Sequence, residues 1–434
     1  SPERPAAGLR RLSPPDPKAV TEEAAAAPAG EIEGAPSVPV LCLLAFLAVM
    51  PVTILVPILK PLVVDRYPIG SFAAHAFLSI NMVGAILTAP LVGWFVDRLG
   101  GRRTLVAAAF LADSALLLAL GWAPSYPALM AIRFLEGVTH IAALTGVMGA
   151  ALGVAQRSGE RAGGVMGAIG ASIIFAVASG AGLGGALAKG GLSRPLLGAA
   201  VIGTVGAIVS AWALRRDRGV RYESGERSLG SLLQVARRDK AVLIPCFFTF
   251  SDRLTVGLIV SSFSLYLSQA LGRAPSQIGL LMMLMLLPFA VLCYPFGKLC
   301  RRYSKSVMVA GGSILYGATL SFLAVVPPSW LPAWMLILGV VSAVNFTPSL
   351  AMVADLAGKE IRSTAMGAFN SAGSLGFMIG PLLGGFVVQT ALGMGAPIER
   401  AFSLAFITGG GAAALAALIA IPALVRLVRA GRTT

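Results

Sequence analysis

Twelve long apolar segments, separated by short polar connections, most limit what this chain can fold into. Each is close to or above the roughly 20 residues that a helix needs to cross a bilayer. The chain is 56% hydrophobic and 12% charged, whereas soluble domains carry about 25% charged residues. Too little polar surface is left to cover a particle in water, and within lipid the backbone must satisfy its own hydrogen bonds. We therefore predict an all-α membrane protein with twelve transmembrane helices.

The predicted helices form two sets of six, separated by the longest polar stretch inside the chain. Residues 1–37 contain seven prolines and no apolar run, which predicts a disordered tail and not a signal peptide. The predicted organisation is a cytoplasmic tail (1–37), an N-terminal six-helix bundle (38–215), a cytoplasmic linker (216–240), a C-terminal six-helix bundle (241–428) and a second cytoplasmic tail (429–434). The twelve segments are 38–64, 73–96, 104–123, 126–154, 163–188, 194–215, 241–271, 276–300, 306–326, 331–357, 362–390 and 398–428.

Basic residues predict how the chain crosses the membrane. The net charge is +15, which in a soluble protein would suggest a nucleic-acid partner. With the N-terminus inside, 26 of the 34 lysines and arginines fall in inner connections and tails and only six in outer ones. The positive-inside rule then places both termini in the cytoplasm. We expect a multi-pass protein of a bacterial inner membrane, monomeric, with the lipid bilayer and no nucleic acid as partner.

An internal repeat with a uniform offset of 200 residues predicts that the two bundles are related by pseudo-symmetry. Met166-Gly167-Ala168 recurs as Met366-Gly367-Ala368, and the glycine-rich run 180–185 recurs at 380–385. A basic hairpin at 93–103 has a looser copy at 297–305. Parallel repeats of this kind are one of the known plans for secondary transporters.

Two sets of residues give the chain its resemblance to a known family. The first set is a basic loop with the pattern Gly-x-x-x-Asp-Arg-x-Gly and a fourth-segment Arg-x-x-x-Gly, formed by Gly93, Asp97, Arg98, Gly100, Arg102, Arg103, Arg133 and Gly137. With these residues the chain resembles the major facilitator superfamily (MFS) over about residues 38–428. The resemblance implies the MFS fold, alternating access, and a loop that braces the two halves. The alternative for the loop is a turn that only sets topology.

Glycine motifs on the fifth and eleventh segments make the resemblance closest to the branch of drug and metabolite:proton antiporters. The fifth segment meets the pattern in part, since Ala181 replaces its proline, whereas the eleventh meets it fully. Two interpretations of these glycines stay open, namely close helix packing and sliding contact between the halves. The matching residues are Gly180, Gly184, Gly185, Gly376, Gly380, Pro381, Gly384 and Gly385.

Ionisable residues inside apolar segments are the candidates for proton coupling, because charges there are costly and tend to face the bundle interior. Arg133, Glu136 and His140 have helical spacing on the fourth segment, so Glu136 can reach both others. The functional hypothesis is a proton-exchanging stripe on the cavity, and the alternative is a static ion pair. His75 is predicted to be solvated or to snorkel near the outer surface.

Asp252 and Arg253 are adjacent near the middle of the seventh segment. Neighbouring residues point about 100° apart on a helix, so we expect them not to pair, with one facing the cavity and the other a neighbouring helix. A coupling role and a structural role are equally compatible with this pattern. Four uncharged polar residues could line the path, namely Asn81, Asn345, Thr347 and Asn370. The resemblance places the tenth predicted segment on the cavity and so favours Asn345 among them.

The resulting functional prediction is a secondary active transporter, with protons and a small, partly hydrophobic solute as partners. Proton-coupled efflux is the leading mode, with Glu136 or Asp252 carrying the proton. The alternatives are an uptake symporter or uniporter, and a lipid or lysolipid flippase. We predict no enzymatic activity, catalytic residue, metal site or cofactor, because the sequence has no nucleophile–His–acid set, no metal-ligand spacing and no phosphate-binding loop.

Overall fold

The computed structural model describes residues 36–92, 101–157, 162–214, 229–300, 302–357 and 362–430, and their regular elements are all helical. Twelve of the α-helices in these ranges are long and one is short. They are α1 (Val38–Ile54), α2 (Ser71–Thr88), α3 (Arg102–Ala119), α4 (Tyr126–Arg157), α5 (Ala162–Leu187), α6 (Ser193–Ala213), α7 (Leu229–Arg238), α8 (Leu243–Leu265), α9 (Pro275–Leu299), α10 (Lys305–Phe322), α11 (Leu331–Leu356), α12 (Arg362–Gly393) and α13 (Ile398–Arg429).

Each long helix lies where an apolar segment predicts one, so the all-α membrane fold is confirmed. Eleven of them are long and apolar enough to cross a bilayer. The twelfth, α10, is not among these, since its 18 residues begin at Lys305 and include several glycines and serines. The predicted linker is more structured than expected, because it contains α7. Only one side of α7 is buried, since Val235 on that side is 1% exposed while Leu233 on the other is 65% exposed.

The long helices alternate in direction and so define two ends of the bundle. We call the end at which α1 begins and α4 finishes the inner end, and the opposite one the outer end. One apolar cluster at the outer end contains residues of both halves, among them Ile54, Phe77, Phe263 and Phe402. At the inner end there are two separate clusters, one built from α1 and α3 to α6 and the other from α7, α8 and α10 to α13. The halves thus share a core at the outer end and part toward the inner end.

Glycines allow α2 and α4 to cross closely, which positions the charged residues of α4. A Cβ added at Gly137 would collide with the backbone carbonyl of Asn81, and one at Gly84 with that of Phe134. Any side chain at either position would push the helices apart, because backbone cannot yield as a flexible side chain can. The glycine of the Arg-x-x-x-Gly motif therefore holds α2 close to Arg133 and Glu136.

Adjacent glycines on α13 give a matched test of this packing. A Cβ at Gly410 would lie 2.8 Å from the backbone nitrogen of Ser321 on α10, whereas one at Gly411 would meet nothing within 4 Å. We expect Gly410→Ala to destabilise the detergent-solubilised protein by about 1–3 kcal/mol through overpacking. Gly411→Ala should be neutral or stabilising by up to about 1 kcal/mol through helix propensity. Thermal unfolding of both variants measures the difference, and equal midpoints would contradict the crossing.

Candidate functional site

A cavity of about 330 Å³ lies between the two halves. Its walls come from α2, α4 and α5 on one side and from α8, α11 and α12 on the other, all from the parts of these helices nearer the inner end. The lining is mostly apolar, with Phe346, Phe369 and Phe377 on the C-terminal side facing Ile141 and Leu144 on the N-terminal side. A largely apolar pocket with a few convergent polar groups is typical of a site for a small organic molecule.

Contacts between the halves close the structure at the outer end. The hydroxyl of Ser264 on α8 donates to the carbonyl of Val56, next to α1, at 2.7 Å. His75 on α2 contacts Ser262 on α8, with Nε2 3.0 Å from Oγ, and its side chain is fully buried. The prediction that His75 is solvated is wrong, because α8 and α12 of the other half cover it.

The glycine motifs divide between two kinds of contact. Within the halves, added Cβ atoms at Gly180 and Gly184 would collide with α1, and those at Gly376 and Gly380 with α8. Gly384 faces Ser262 of α8, and the ring of Pro381 packs against Gly257 of the same helix. Gly185 and Gly385 instead face the opposite half. A Cβ at Gly185 would lie 3.1 Å from the Cα of Gly279 on α9, and one at Gly385 would lie 2.8 Å from the Cβ of His75.

The charged residues of α4 form a buried network behind the cavity wall. Arg133 Nη1 lies 2.7 Å from Glu136 Oε2, and Asn81 Nδ2 on α2 also donates to Oε2. The guanidinium carbon of Arg133 is 5.0 Å above the ring of Phe77. Arg133 is 1% and Glu136 0% exposed. Neither is among the residues that line the cavity, whereas His140 is, so the predicted stripe turns only its last member toward the cavity.

A second carboxyl group extends this network into α3. Asp113 is buried at 3% exposure, and its Oδ1 lies 3.1 Å from the hydroxyl of Thr139. That hydroxyl is also 3.0 Å from the backbone carbonyl of Glu136. Since one hydroxyl hydrogen cannot serve both oxygens fully, a proton on Asp113 would complete the arrangement. Two buried carboxyls thus lie near one buried guanidinium, and Glu136 is the one that contacts it.

The two charged residues of α8 lie in different surroundings: Arg253 is at the cavity, and Asp252 is packed between helices. Asp252 is buried and accepts from Asn345 Nδ2 on α11 at 3.0 Å, and Asn345 Oδ1 in turn accepts from Ser313 on α10 at 2.7 Å. Arg253 lines the cavity. The expectation that these neighbours do not pair is wrong, since Arg253 Nε lies 3.8 Å from Asp252 Oδ2. The long arginine side chain can fold back across the 100° between them.

Part of the predicted gating loop lies outside the described residues, namely Gly93, Asp97, Arg98 and Gly100. The loop rejoins the described structure at Gly101, whose φ of +119° favours glycine. Arg102 and Arg103 then begin α3, the first buried at 4% exposure and the second exposed. The bracing role of this loop remains a prediction.

Sequence reasoning included Asn370 among the polar residues that could line the path, but it missed Thr249, Ser371 and Ser374. Asn345 lies behind the wall, and the polar positions that reach the cavity from α8 and α12 include Thr249, Asn370, Ser371 and Ser374. A usable signal was present, because Asn370 and Ser374 are four residues apart and share a helix face. Serines and asparagines also occur in ordinary helix packing, so that signal alone does not identify a cavity.

Comparisons with known proteins agree on one family. The sequence model of the Major Facilitator Superfamily matches the chain twice, over residues 41–251 and 245–433. An uncharacterised MFS-type transporter of Methanocaldococcus jannaschii is 31% identical over 156 residues, which is 36% of this chain. That alignment spans 40% of the length of the archaeal relative.

Solved structures share the fold at low sequence identity. The nucleoside transporter NupG superposes with a TM-score of 0.71 at 12% identity, covering 89% of this chain and 98% of its own. A bacterial homologue of the human lysosomal transporter Spinster, in an inward-facing and occupied conformation, gives 0.68 at 13%, covering 92% and 96%. A D-xylose–proton symporter gives 0.67 at 14%, covering 88% and 95%.

Proposed function

The chain belongs to the Major Facilitator Superfamily, and from that premise we propose that it exports a small, partly hydrophobic solute in exchange for protons. The two halves would alternate in exposing the central cavity to either side. On this proposal both termini are cytoplasmic, the membrane is a bacterial inner membrane, and the inner end of the bundle faces the cytoplasm. A closed outer end above a cavity near the inner end then corresponds to the state that receives solute from the cell.

The cavity between the halves is the observation that carries the proposal. Its volume of about 330 Å³ lies at the lower end of the roughly 300–1,000 Å³ that small-molecule sites occupy. This volume favours a compact solute over a two-chain lipid, and its aromatic and aliphatic walls favour a solute with an apolar body. The shared outer cluster and the separate inner clusters support a rocking motion about the cavity.

Two places in the structure suit a coupling proton. The α3–α4 network contains two carboxyls, Asp113 and Glu136, for one guanidinium, and burying an uncompensated charge is costly. Asp252 lies directly behind Arg253, which lines the cavity, so solute near Arg253 would alter the field at that carboxyl. We assign proton exchange to Glu136 or Asp252, with Arg133 tuning the former.

Proton flux in proteoliposomes tests this assignment. We expect a solute gradient to drive protons in the opposite direction in the wild type, measured with an enclosed pH-sensitive dye and a panel of amphipathic solutes. Glu136→Gln or Asp252→Asn should reduce coupled proton movement at least about tenfold, equivalent to about 1.4 kcal/mol. Each substitution removes the exchangeable proton and keeps the shape of the side chain.

The control is Asp65→Asn, which removes an exposed carboxylate at the outer end and should leave proton movement unchanged. Unchanged proton movement in both test variants would overturn the coupling assignment. Protons that move in the same direction as the solute would indicate symport, and solute flux indifferent to a pH gradient would indicate uniport.

A further inference from the structure

Arg253 is placed in the cavity as a partly unsatisfied cation. Its side chain is 28% exposed and belongs to the cavity lining. Its guanidinium carbon lies 4.5 Å from the centre of the Phe346 ring, which holds the group in place and leaves its hydrogen-bond donors uncommitted. Within the described ranges no hydrogen bond from this guanidinium is seen, and its ionic contact with Asp252 is long, at 3.8 Å.

The carboxylate behind Arg253 is already engaged elsewhere. Asp252 accepts from Asn345 at 3.0 Å and is only 4% exposed, so it cannot present itself to a solute. Among the described residues that line the cavity there is no aspartate or glutamate. An incoming group therefore meets a cation with no competing anion on the cavity surface, and an arginine fork matches a carboxylate in a bidentate geometry.

The remaining cavity walls indicate the chemical character of the rest of an anionic solute. Phe369 and Phe377 on α12 line the same cavity as Ile141 and Leu144 on α4. This combination would recognise an apolar body of aromatic or branched aliphatic type, at a site of small-molecule size.

We propose that Arg253 is the anion-binding residue of the solute site, and that the solute class is a monocarboxylate with an apolar body. This inference rests on the proposed function, since it takes the cavity as the solute site. The charges of Arg133, Glu136, Asp252 and Arg253 sum to zero. Only Arg253 of these four lines the cavity, so the charge that a solute meets there is positive.

Matched probes test the proposal by binding alone. Each set has one apolar body (phenylpropyl, naphthylmethyl or isopentyl) carrying a carboxylate, the neutral amide or an amine. Binding to the purified full chain in detergent is measured by calorimetry. For at least one body we expect the carboxylate to bind about 10- to 100-fold more tightly than its amide, since charged hydrogen bonds contribute about 1.5–3 kcal/mol. Arg253→Gln should remove this preference, because it weakens binding of the carboxylate far more than binding of the amide.

A second variant tests whether the preference is lost only because the protein misfolds. Arg253→Gln leaves Asp252 without its cation, whereas Arg253→Gln with Asp252→Asn keeps the pair neutral and should also lose the preference. If no carboxylate of the panel binds more tightly than its amide, or if the preference survives in both variants, the proposal is wrong. If the wild type transports the neutral probes without such a preference, the anion-binding role of Arg253 is wrong and the proposed transport function stands. If binding depends on Arg253 but no probe is transported, the anion-binding role stands and the proposed transport function is wrong.

Discussion

Leucine at Gly185 or Gly385 is expected to hold the outer end of the bundle open and to reduce transport about 10- to 100-fold. Both glycines lie where one half meets the other. An added Cβ at Gly185 would lie 2.5 Å from the backbone oxygen of Pro275, and one at Gly385 would lie 3.0 Å from the Cα of Phe72. Overpacking costs about 1–3 kcal/mol, and each 1.4 kcal/mol shifts an equilibrium about tenfold.

The preceding glycine in each motif supplies the matched control. Gly184 faces the backbone oxygen of Ile54, and Gly384 faces the hydroxyl of Ser262, so each packs within its own half. Leucine at Gly184 should therefore lower the yield of folded protein, because the bundle itself cannot form around it. Leucine at Gly185 should leave folding intact, because the clash is relieved when the halves separate at the outer end.

Spin labels across the outer end measure the opening. Ser125 and Ser329 are exposed in outer connections of the two halves, and both can be changed to cysteine after Cys42, Cys246, Cys293 and Cys300 are replaced. We expect a longer distance between the labels in Gly185→Leu than in the parent. An unchanged distance together with normal transport would show that this crossing does not control closure of the outer end.

The helices could be predicted from sequence because bilayer thickness fixes their length and basic connections mark their ends. The repeat also predicts which positions correspond in the two halves. Its 200-residue offset pairs Gly185 with Gly385, and both face the opposite half in the structure. Helix α7 was missed because its few apolar residues, Leu229, Leu232 and Val235 among them, lie in a basic stretch. A ten-residue amphipathic helix becomes evident only beside the helices it packs against.

The candidate site was predictable in its residues but not in their orientation. Helical spacing fixes the angle between Arg133, Glu136 and His140, yet it cannot say which of them turns toward the cavity. Asn81 decides this by binding Glu136 from α2, and nothing in the sequence links these two positions. His75 shows the same limit, since its partner Ser262 lies 187 residues away in the other half.

Loss of the buried guanidinium should be the most destabilising single change in the α4 network. We expect Arg133→Met to cost about 3–5 kcal/mol, because removing one partner of a buried pair leaves the other uncompensated. Methionine keeps much of the length and apolar bulk of the side chain, so loss of packing contributes little. Among the described residues, Glu136 then retains only Asn81 as a side-chain hydrogen-bond donor, and Asp113 loses the nearby positive charge of Arg133.

A double-mutant cycle separates the ion pair from its surroundings. Glu136→Gln should be milder than Arg133→Met, since Asp113 lies near the guanidinium and can ionise in place of Glu136. The double variant should recover part of the loss seen in Arg133→Met, because it no longer buries Glu136 without its partner. Thermal unfolding in detergent gives the three midpoints, with Arg429→Met as the control, since Arg429 is exposed at the inner end of α13. If the two losses simply add, Arg133 and Glu136 are not coupled, and Asp113 becomes the carboxyl on which the buried charge of α4 depends.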